Sequence, residues 1–238
     1  MTNNKENPAG AILLPTNPKY LTAIDNLLAP LRDANWAAID DISPLAEVAL
    51  RSLAKQPAMI GDLFASAAHD QSLFTLCEHY DLLDKIVLYR CPQFRLRLHV
   101  FLPGYFDRPH NHRWSYSSLI LCGQYRHSLY GCDDNLTTEV DVASLTPVMI
   151  RNEQTGMSYT LHHSMIHSVV AQPYTVSLVI RGPSMKDRFV VMDRVEKTAW
   201  WQYGSANESK EERTAKAMSL DRFKFLEAKL AELSILEA

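Results

Sequence analysis

The chain has 238 residues, 47% of them hydrophobic, and a formal net charge of −3. That composition suits a globular protein with a sizeable core. It excludes the basic stripe of a nucleic-acid binder and any apolar run of the ~18 residues needed to cross a membrane.

The N-terminal stretch, residues 1–15, is polar and has no basic region ahead of a long apolar run, so no signal peptide is read there. Asn17-Pro18 then reads as an N-cap followed by proline at the first helical position. Leu21, Ile24, Leu27, Leu28 and Leu31 follow at helical spacing. Ser43-Pro44 repeats the start signal ahead of Leu45–Lys55, and two more helical stretches are expected near Ala58–Ala68 and Ser72–His79. From about Asp84 the pattern changes to short β-rich runs, at 85–90, 94–102, 116–122, 124–130, 147–152, 157–163, 167–171, 175–182 and 188–195. Turn signals such as Pro103-Gly104, Gly123, Gly131, Pro173 and Gly182-Pro183 separate them. In the second run Phe94, Leu96, Leu98, Val100 and Leu102 alternate with Arg95, Arg97 and His99, which gives a strand with one apolar and one polar face. So many short strands with regular turns indicate a sandwich or barrel. After Trp201 the chain is polar and then helical, with Leu220, Phe223, Leu226, Leu230, Leu233 and Leu236 in one stripe. That stripe suits packing onto the barrel or onto a second copy in a homodimer. The expected organisation is a helical segment at 1–83, a β-barrel at 84–203 and a C-terminal amphipathic helix at 204–238. The four cysteines, Cys77, Cys91, Cys122 and Cys132, show no CxxC spacing and read as free thiols of a cytoplasmic protein.

Three of the nine histidines are grouped in a way that suggests chemistry. His110-Asn111-His112 on an extended segment places two imidazoles on one face, because side chains alternate with period two. Two neutral imidazoles make half of a metal site, and a third ligand is available in the segment from Gly156 to His167. A His-x-His pair on a strand also occurs as coincidence. His99, His127, His162 and His163 read as structural or solvated, with His162 or His163 in reach of a pocket.

The sequence resembles the cupin superfamily. The motif G-x5-H-x-H-x3-E-x6-G is matched by Gly104, His110, His112, Tyr116 and Gly123, with every spacing kept and tyrosine in place of glutamate. The motif G-x5-P-x-G-x2-H-x3-N is matched by Gly156 and His167, with His162 for the proline, Ser164 for the glycine and Ala171 for the asparagine. The resemblance covers roughly residues 85–195. It implies a mainly β fold with flanking helices, a double-stranded β-helix or cupin jelly-roll barrel. His110, His112 and His167 are its implied metal ligands. Reading the spacer one residue longer puts Ser117 at the glutamate position. Neither Tyr116 nor Ser117 is a good ligand at neutral pH, so the site reads as a neutral three-histidine face with open positions.

That arrangement is similar to the cysteine dioxygenase group of thiol dioxygenases. Thr175–Ser184 is similar to that group's S-x-H-x-Y-S-P-P segment, keeping Ser177 but carrying Val179 for the histidine and Arg181 for the tyrosine. The serine–histidine–tyrosine relay is therefore absent, and the oxidation of free cysteine is in doubt. The resemblance implies an arginine clamp for a substrate carboxylate, for which Arg90 and Arg181 are the candidates; each also suits an ordinary ion pair. Tyr116 is the candidate catalytic residue. Ser177, Tyr105, Trp114 and His162 are candidates for binding substrate. The leading expectation is a mononuclear Fe(II) oxygenase of dioxygenase type, acting with O2 on a small amino-acid-derived or thiol/carboxylate substrate. The alternatives are a Zn, Ni or Mn lyase, isomerase or hydrolase, and a non-catalytic ligand-binding cupin. The N-terminal helices are expected to pack on the barrel and cover its mouth. No nucleic-acid or membrane partner is expected.

Overall fold

The computed structural model describes residues 18–133, 141–204 and 207–237; Asn17 and the stretch ahead of it lie outside them. Helices α1 (Pro18–Leu28), α2 (Ile39–Ala54) and α3 (Pro57–His69) lead into a single turn, α4 (Gln71–Phe74). Two helix boundaries differ from the expectation. Ser43-Pro44 does not start a helix: Pro44 stands inside α2, whose first turn carries Asp40 and Asp41. Their charges complement the helix N-terminus, and burial of Ile42, Ala46, Ala49, Leu50 and Leu53 offsets the one hydrogen bond the proline removes. The stretch Ser72–His79 is not helical throughout. Asp70 caps one turn by accepting from the Ser72 N–H at 2.7 Å, and the chain then extends into strand β1 (Glu78–His79).

Ten further strands follow. They are β2 (Leu83–Arg90), β3 (Arg95–Phe101), β4 (Tyr116–Cys122), β5 (Gln124–Cys132), β6 (Met149–Gln154), β7 (Ser158–Leu161), β8 (Met165–Ala171), β9 (Val176–Arg181), β10 (Arg188–Asp193) and β11 (Thr198–Tyr203). β1 and β11 were not expected from the periodicity; β11 is aromatic rather than alternating, and pairs along its full length with β10. The first sheet has the order β1-β2-β3-β9-β4-β7. The second has β6-β5-β8 and β10-β11, joined edge to edge by the extended segment at His110, which bridges to His167 on β8 and Val191 on β10. The chain thus passes from one sheet to the other between β4 and β5 and at every connection from β6 to β10. That crossing pattern is a jelly roll, the double-stranded β-helix expected.

The main apolar core lies outside the barrel. Leu96, Leu98, Val100, Val176, Leu178 and Ile180 point from β3 and β9 toward Leu50, Leu53, Ile60, Leu63 and Phe64 of α2 and α3. The helices therefore cover the back of the first sheet and not the mouth of the barrel. Two helices end the chain, α5 (Lys210–Ala215) and α6 (Leu220–Glu232). Phe223, Leu226 and Leu230 of α6 join the same core, and the Phe223 ring lies 4.3 Å from that of Phe64. This stripe packs within the chain, while Leu220 is left exposed. Arg222 anchors α6 by donating to the buried Asp84 carboxylate at 2.6 Å, which His79 meets from the other side at 2.6 Å. The four cysteines are free. Among the described residues, no helix is long and apolar enough to cross a membrane.

Candidate metal centre

The candidate metal-binding face is built by a strand-like segment rather than by a full strand. After β3 the chain turns at Pro103-Gly104 and returns between β8 and β10. The His110 N–H donates to the His167 carbonyl at 2.8 Å and the His167 N–H to the His110 carbonyl at 2.9 Å. On the other edge the Met192 N–H donates to the Pro109 carbonyl at 2.8 Å. Asn111, between the two histidines, points away from them. Its Oδ1 accepts from the Val190 N–H at 2.9 Å, and its Nδ2 donates to the Asp133 carboxylate, which also meets Lys186 Nζ at 2.5 Å. With Asn111 on one face, period two brings His110 and His112 to the other. The motif glycines are structural: Gly123 sits at φ 82°, and a Cβ there would lie 2.5 Å from Thr175 Oγ1.

His110, His112 and His167 each offer one ring nitrogen, and these three atoms lie within 4.8 Å of one another. His112 Nε2 and His167 Nε2 stand 2.8 Å apart. Withdrawal from water holds all three imidazoles in the neutral, ligating form. The His110 pKa falls to about 4, and those of His112 and His167 fall well below the usual range, with the neighbouring histidines adding to the effect. The tautomers are also set. Carbonyls only accept, so His110 Nδ1 carries the proton given to the Arg108 carbonyl at 2.8 Å, which leaves Nε2 free. His167 Nδ1 faces His127 Nε2 at 2.9 Å, and His127 Nδ1 faces the fully buried Glu153 carboxylate at 3.6 Å. Arg151 Nε meets the same carboxylate at 3.1 Å. His127 thus backs His167, and Glu153 backs His127 at a distance longer than a hydrogen bond; a polar partner behind a ring fixes its orientation. The donor set therefore fits a divalent ion at these three nitrogens.

The histidines line a cavity of about 920 Å³ inside the barrel. Tyr116, Ser177, Trp114, Arg90 and Arg181 line it as well. The Tyr116 hydroxyl lies 3.4 Å from His167 Nε2 and 3.5 Å from the Tyr159 hydroxyl, which in turn accepts from Tyr125 at 2.9 Å. Burial, and then Tyr159, keep the Tyr116 phenol protonated well above the ordinary range. Ser117 takes the opposite face of β4, where it bonds Thr160 Oγ1 at 2.8 Å, so it is not an alternative to Tyr116. Tyr105 and His162 stand outside the lining. Tyr105 is 64% exposed on the turn after β3, and His162 sits on the β7–β8 turn, bonded to Ser164 Oγ at 2.7 Å and with its ring tilted against that of His163.

Sequence reasoning did not single out three groups of cavity or supporting residues. His127 and Glu153 are one. Tyr125 and Tyr159 are another. The third is cationic: Arg95 and Arg97 from the polar face of β3, Lys85 opposite His99 on β2, and Arg113 beside His112. Arg181 is level with Arg95 and Tyr116 across the first sheet, and its guanidinium carbon lies 4.7 Å from the Trp114 ring centre. Arg97 and Arg113 flank that ring at 5.7 and 5.9 Å. Burial, and then the charges of Arg97, Arg95 and Arg113, push the Arg181 pKa down to about 8. The signal was present in the β3 alternation, but period alone does not say whether a strand's polar face meets solvent or a cavity.

No known family model and no curated protein matches the sequence. Solved structures resemble part of the chain. KdgF from a Halomonas species is 16% identical, covers 44% of this chain and 82% of its own, and has a TM-score of 0.34. An RmlC-like cupin from Shewanella frigidimarina is 17% identical, covers 47% and 86%, and has a TM-score of 0.36. The DMSP lyase DddQ from Ruegeria pomeroyi is 12% identical over 46% of this chain and 51% of its own, with a TM-score of 0.34.

Proposed function

We propose that the protein is a mononuclear non-haem Fe(II) oxygenase that acts on a small amino-acid-derived or thiol/carboxylate molecule. The observation that carries this reading is the convergence of three neutral imidazoles, with no carboxylate among them, on the wall of a cavity of about 920 Å³. A neutral donor set leaves the full charge of the ion to attract an anionic substrate atom, and three protein ligands leave positions open. When bound, Fe(II) supplies the electrons and the open positions that O2 activation needs. A dioxygenation takes both oxygen atoms into the product, so no external reductant is required. The chain's own residues do the rest. Glu153 and His127 hold the His167 ring. The protonated Tyr116 hydroxyl donates a hydrogen bond into the space beside His167. Trp114 and Arg181 bind and orient the substrate, and Phe101, Phe106, Phe189 and Val191 keep water from the wall.

One observation favours a second reading. Tyr116, Tyr159 and Tyr125 form a chain of hydroxyls beside the centre, which suits proton transfer in a Zn, Ni or Mn lyase, isomerase or hydrolase. Oxygen uptake separates the two. Protein loaded anaerobically with Fe(II) and offered amino-acid-derived thiols and carboxylates consumes O2 in step with substrate under the first reading. Turnover with Zn(II), Ni(II) or Mn(II) and no O2 consumption establishes the second. Substrate binding without turnover under either condition points to a ligand-binding cupin.

A further inference from the structure

The cavity holds more positive charge than one carboxylate needs. Eight cationic side chains line it, namely Lys85, Arg90, Arg95, Arg97, Arg108, Arg113, Arg181 and Lys216, against the carboxylates of Glu78, Asp81 and Glu208. Those carboxylates already have partners. Lys216 meets Glu78 at 3.0 Å and Glu208 at 2.6 Å, and Arg108 meets Asp81 at 2.6 Å. Among the described residues, Arg95, Arg97, Arg113 and Arg181 form no ion pair. Arg97 is 4% exposed and Arg181 9%, and the Nε of each is buried with no hydrogen-bond partner. Arg181 Nη1 meets only the neighbouring Gly182 carbonyl at 2.9 Å, and Arg113 Nε only that of Lys186 at 3.0 Å.

Buried guanidinium groups ordinarily pair with carboxylate or phosphate, because desolvating them without a counter-charge is costly. Here Arg95 and Arg97 are two positions apart on one face of β3, and β9 sets Arg181 level with Arg95. Trp114 packs against Arg181 and has its ring centre 6.1 Å from that of His112. The cluster and the histidines therefore face one continuous space.

We propose that the arginine cluster binds a substrate group carrying at least two negative charges, a phosphate monoester or a pair of carboxylates, while another part of the same molecule reaches the histidines. A lone carboxylate satisfies one guanidinium fork and leaves the other cations buried and unpaired. A phosphate dianion or two carboxylates present enough oxygens for Arg95, Arg97 and Arg181 together. This rests on the cavity being the substrate site of the metal enzyme proposed above, and it adds the charge of the substrate.

Calorimetric titration with inorganic phosphate, succinate and acetate tests it, on the metal-loaded protein and on His110→Ala/His112→Ala. Phosphate or succinate is expected to bind at least tenfold more tightly than acetate in both proteins, and the tighter of the two identifies the oxyanion source. Arg97→Gln and Arg181→Gln are each expected to weaken that binding at least tenfold. Equal affinity for acetate, or binding unchanged in both arginine variants, overturns the assignment. Should the variants fail to fold, the ranking of the three anions on the wild-type chain decides alone. A polyanion preference that persists in a histidine variant whose parent bound no metal keeps the arginine site and removes the metal reading. Metal bound without any preference for phosphate or succinate does the reverse.

Discussion

Replacing Arg181 by methionine is expected to stabilise the protein. Arg181 is 9% exposed and forms no ion pair among the described residues; burial, and then Arg97, Arg95 and Arg113, outweigh the more distant Glu78 carboxylate and bring its pKa down to about 8 against an ordinary 12.5. At about 1.4 kcal/mol per unit, that depression corresponds to a gross penalty on the order of 6 kcal/mol. Methionine gives up a hydrogen bond to the Gly182 carbonyl, worth about 1 kcal/mol, and the contact with the Trp114 ring, worth about 1–2 kcal/mol. A net gain of about 3–4 kcal/mol remains, at the upper end of other replacements of buried charge by apolar groups of similar volume. For a chain of this length each kcal/mol raises the melting temperature by about 2–4 °C. Arginine stays protonated over the working range, so the advantage of Arg181→Met is expected to be the same from about pH 6 to about pH 10. Both proteins share a separate pH dependence. Lys85 is pushed down to about 8 by burial, so the folded state binds fewer protons and stability rises as pH climbs from about 8 toward the unfolded value, while the buried Cys77 thiol, raised to about 11, opposes that rise above about pH 9. Urea unfolding of both proteins in buffers free of polyanions measures the advantage. A variant less stable than wild type by more than about 1 kcal/mol at about pH 7.5 would show that Arg181 has a counter-charge and is not part of an unpaired cationic cluster.

Glu153→Gln and His127→Ala, which loosen the support behind His167, are expected to lower metal affinity by about 10–100-fold in a competitive chelator titration; affinity within a factor of two of wild type would contradict that role. Phe223→Ala removes a ring buried between Phe64 and Phe74 and is expected to cost about 3–5 kcal/mol in urea unfolding, against less than 1 kcal/mol if α6 merely lies on the surface. Gly123→Ala forces a side chain into positive φ and against Thr175, for an expected loss of about 1–3 kcal/mol; a neutral result would show that the β4–β5 turn can re-form.

Much of the fold and the grouping of the three histidines were legible because they rest on local periodicity and on spacing along the chain. Phe94, Leu96, Leu98 and Val100 announced β3, and Gly104, His110, His112 and Gly123 kept their intervals. What was not legible depends on which strands become neighbours. His127 and Glu153 are separated by a long stretch of sequence and meet only because β5 pairs with β6 and β8. Arg97 and Arg181 meet only because β3 pairs with β9. The placement of the N-terminal helices depends on tertiary packing too. Their apolar faces showed that they must pack on a sheet, but not that Leu96, Leu98 and Val100 of β3 are among the residues they meet. Pro44 was misread because proline is tolerated near a helix start as well as at it, and burial of the following turns decides.

Elemental analysis of the purified chain beside its His167→Ala variant, each confirmed as folded by circular dichroism, tests the metal centre most directly. One equivalent of a divalent ion per wild-type chain, iron under the first reading, is expected to fall to near zero in the variant. Full occupancy retained without His167 would contradict a centre built on His110, His112 and His167.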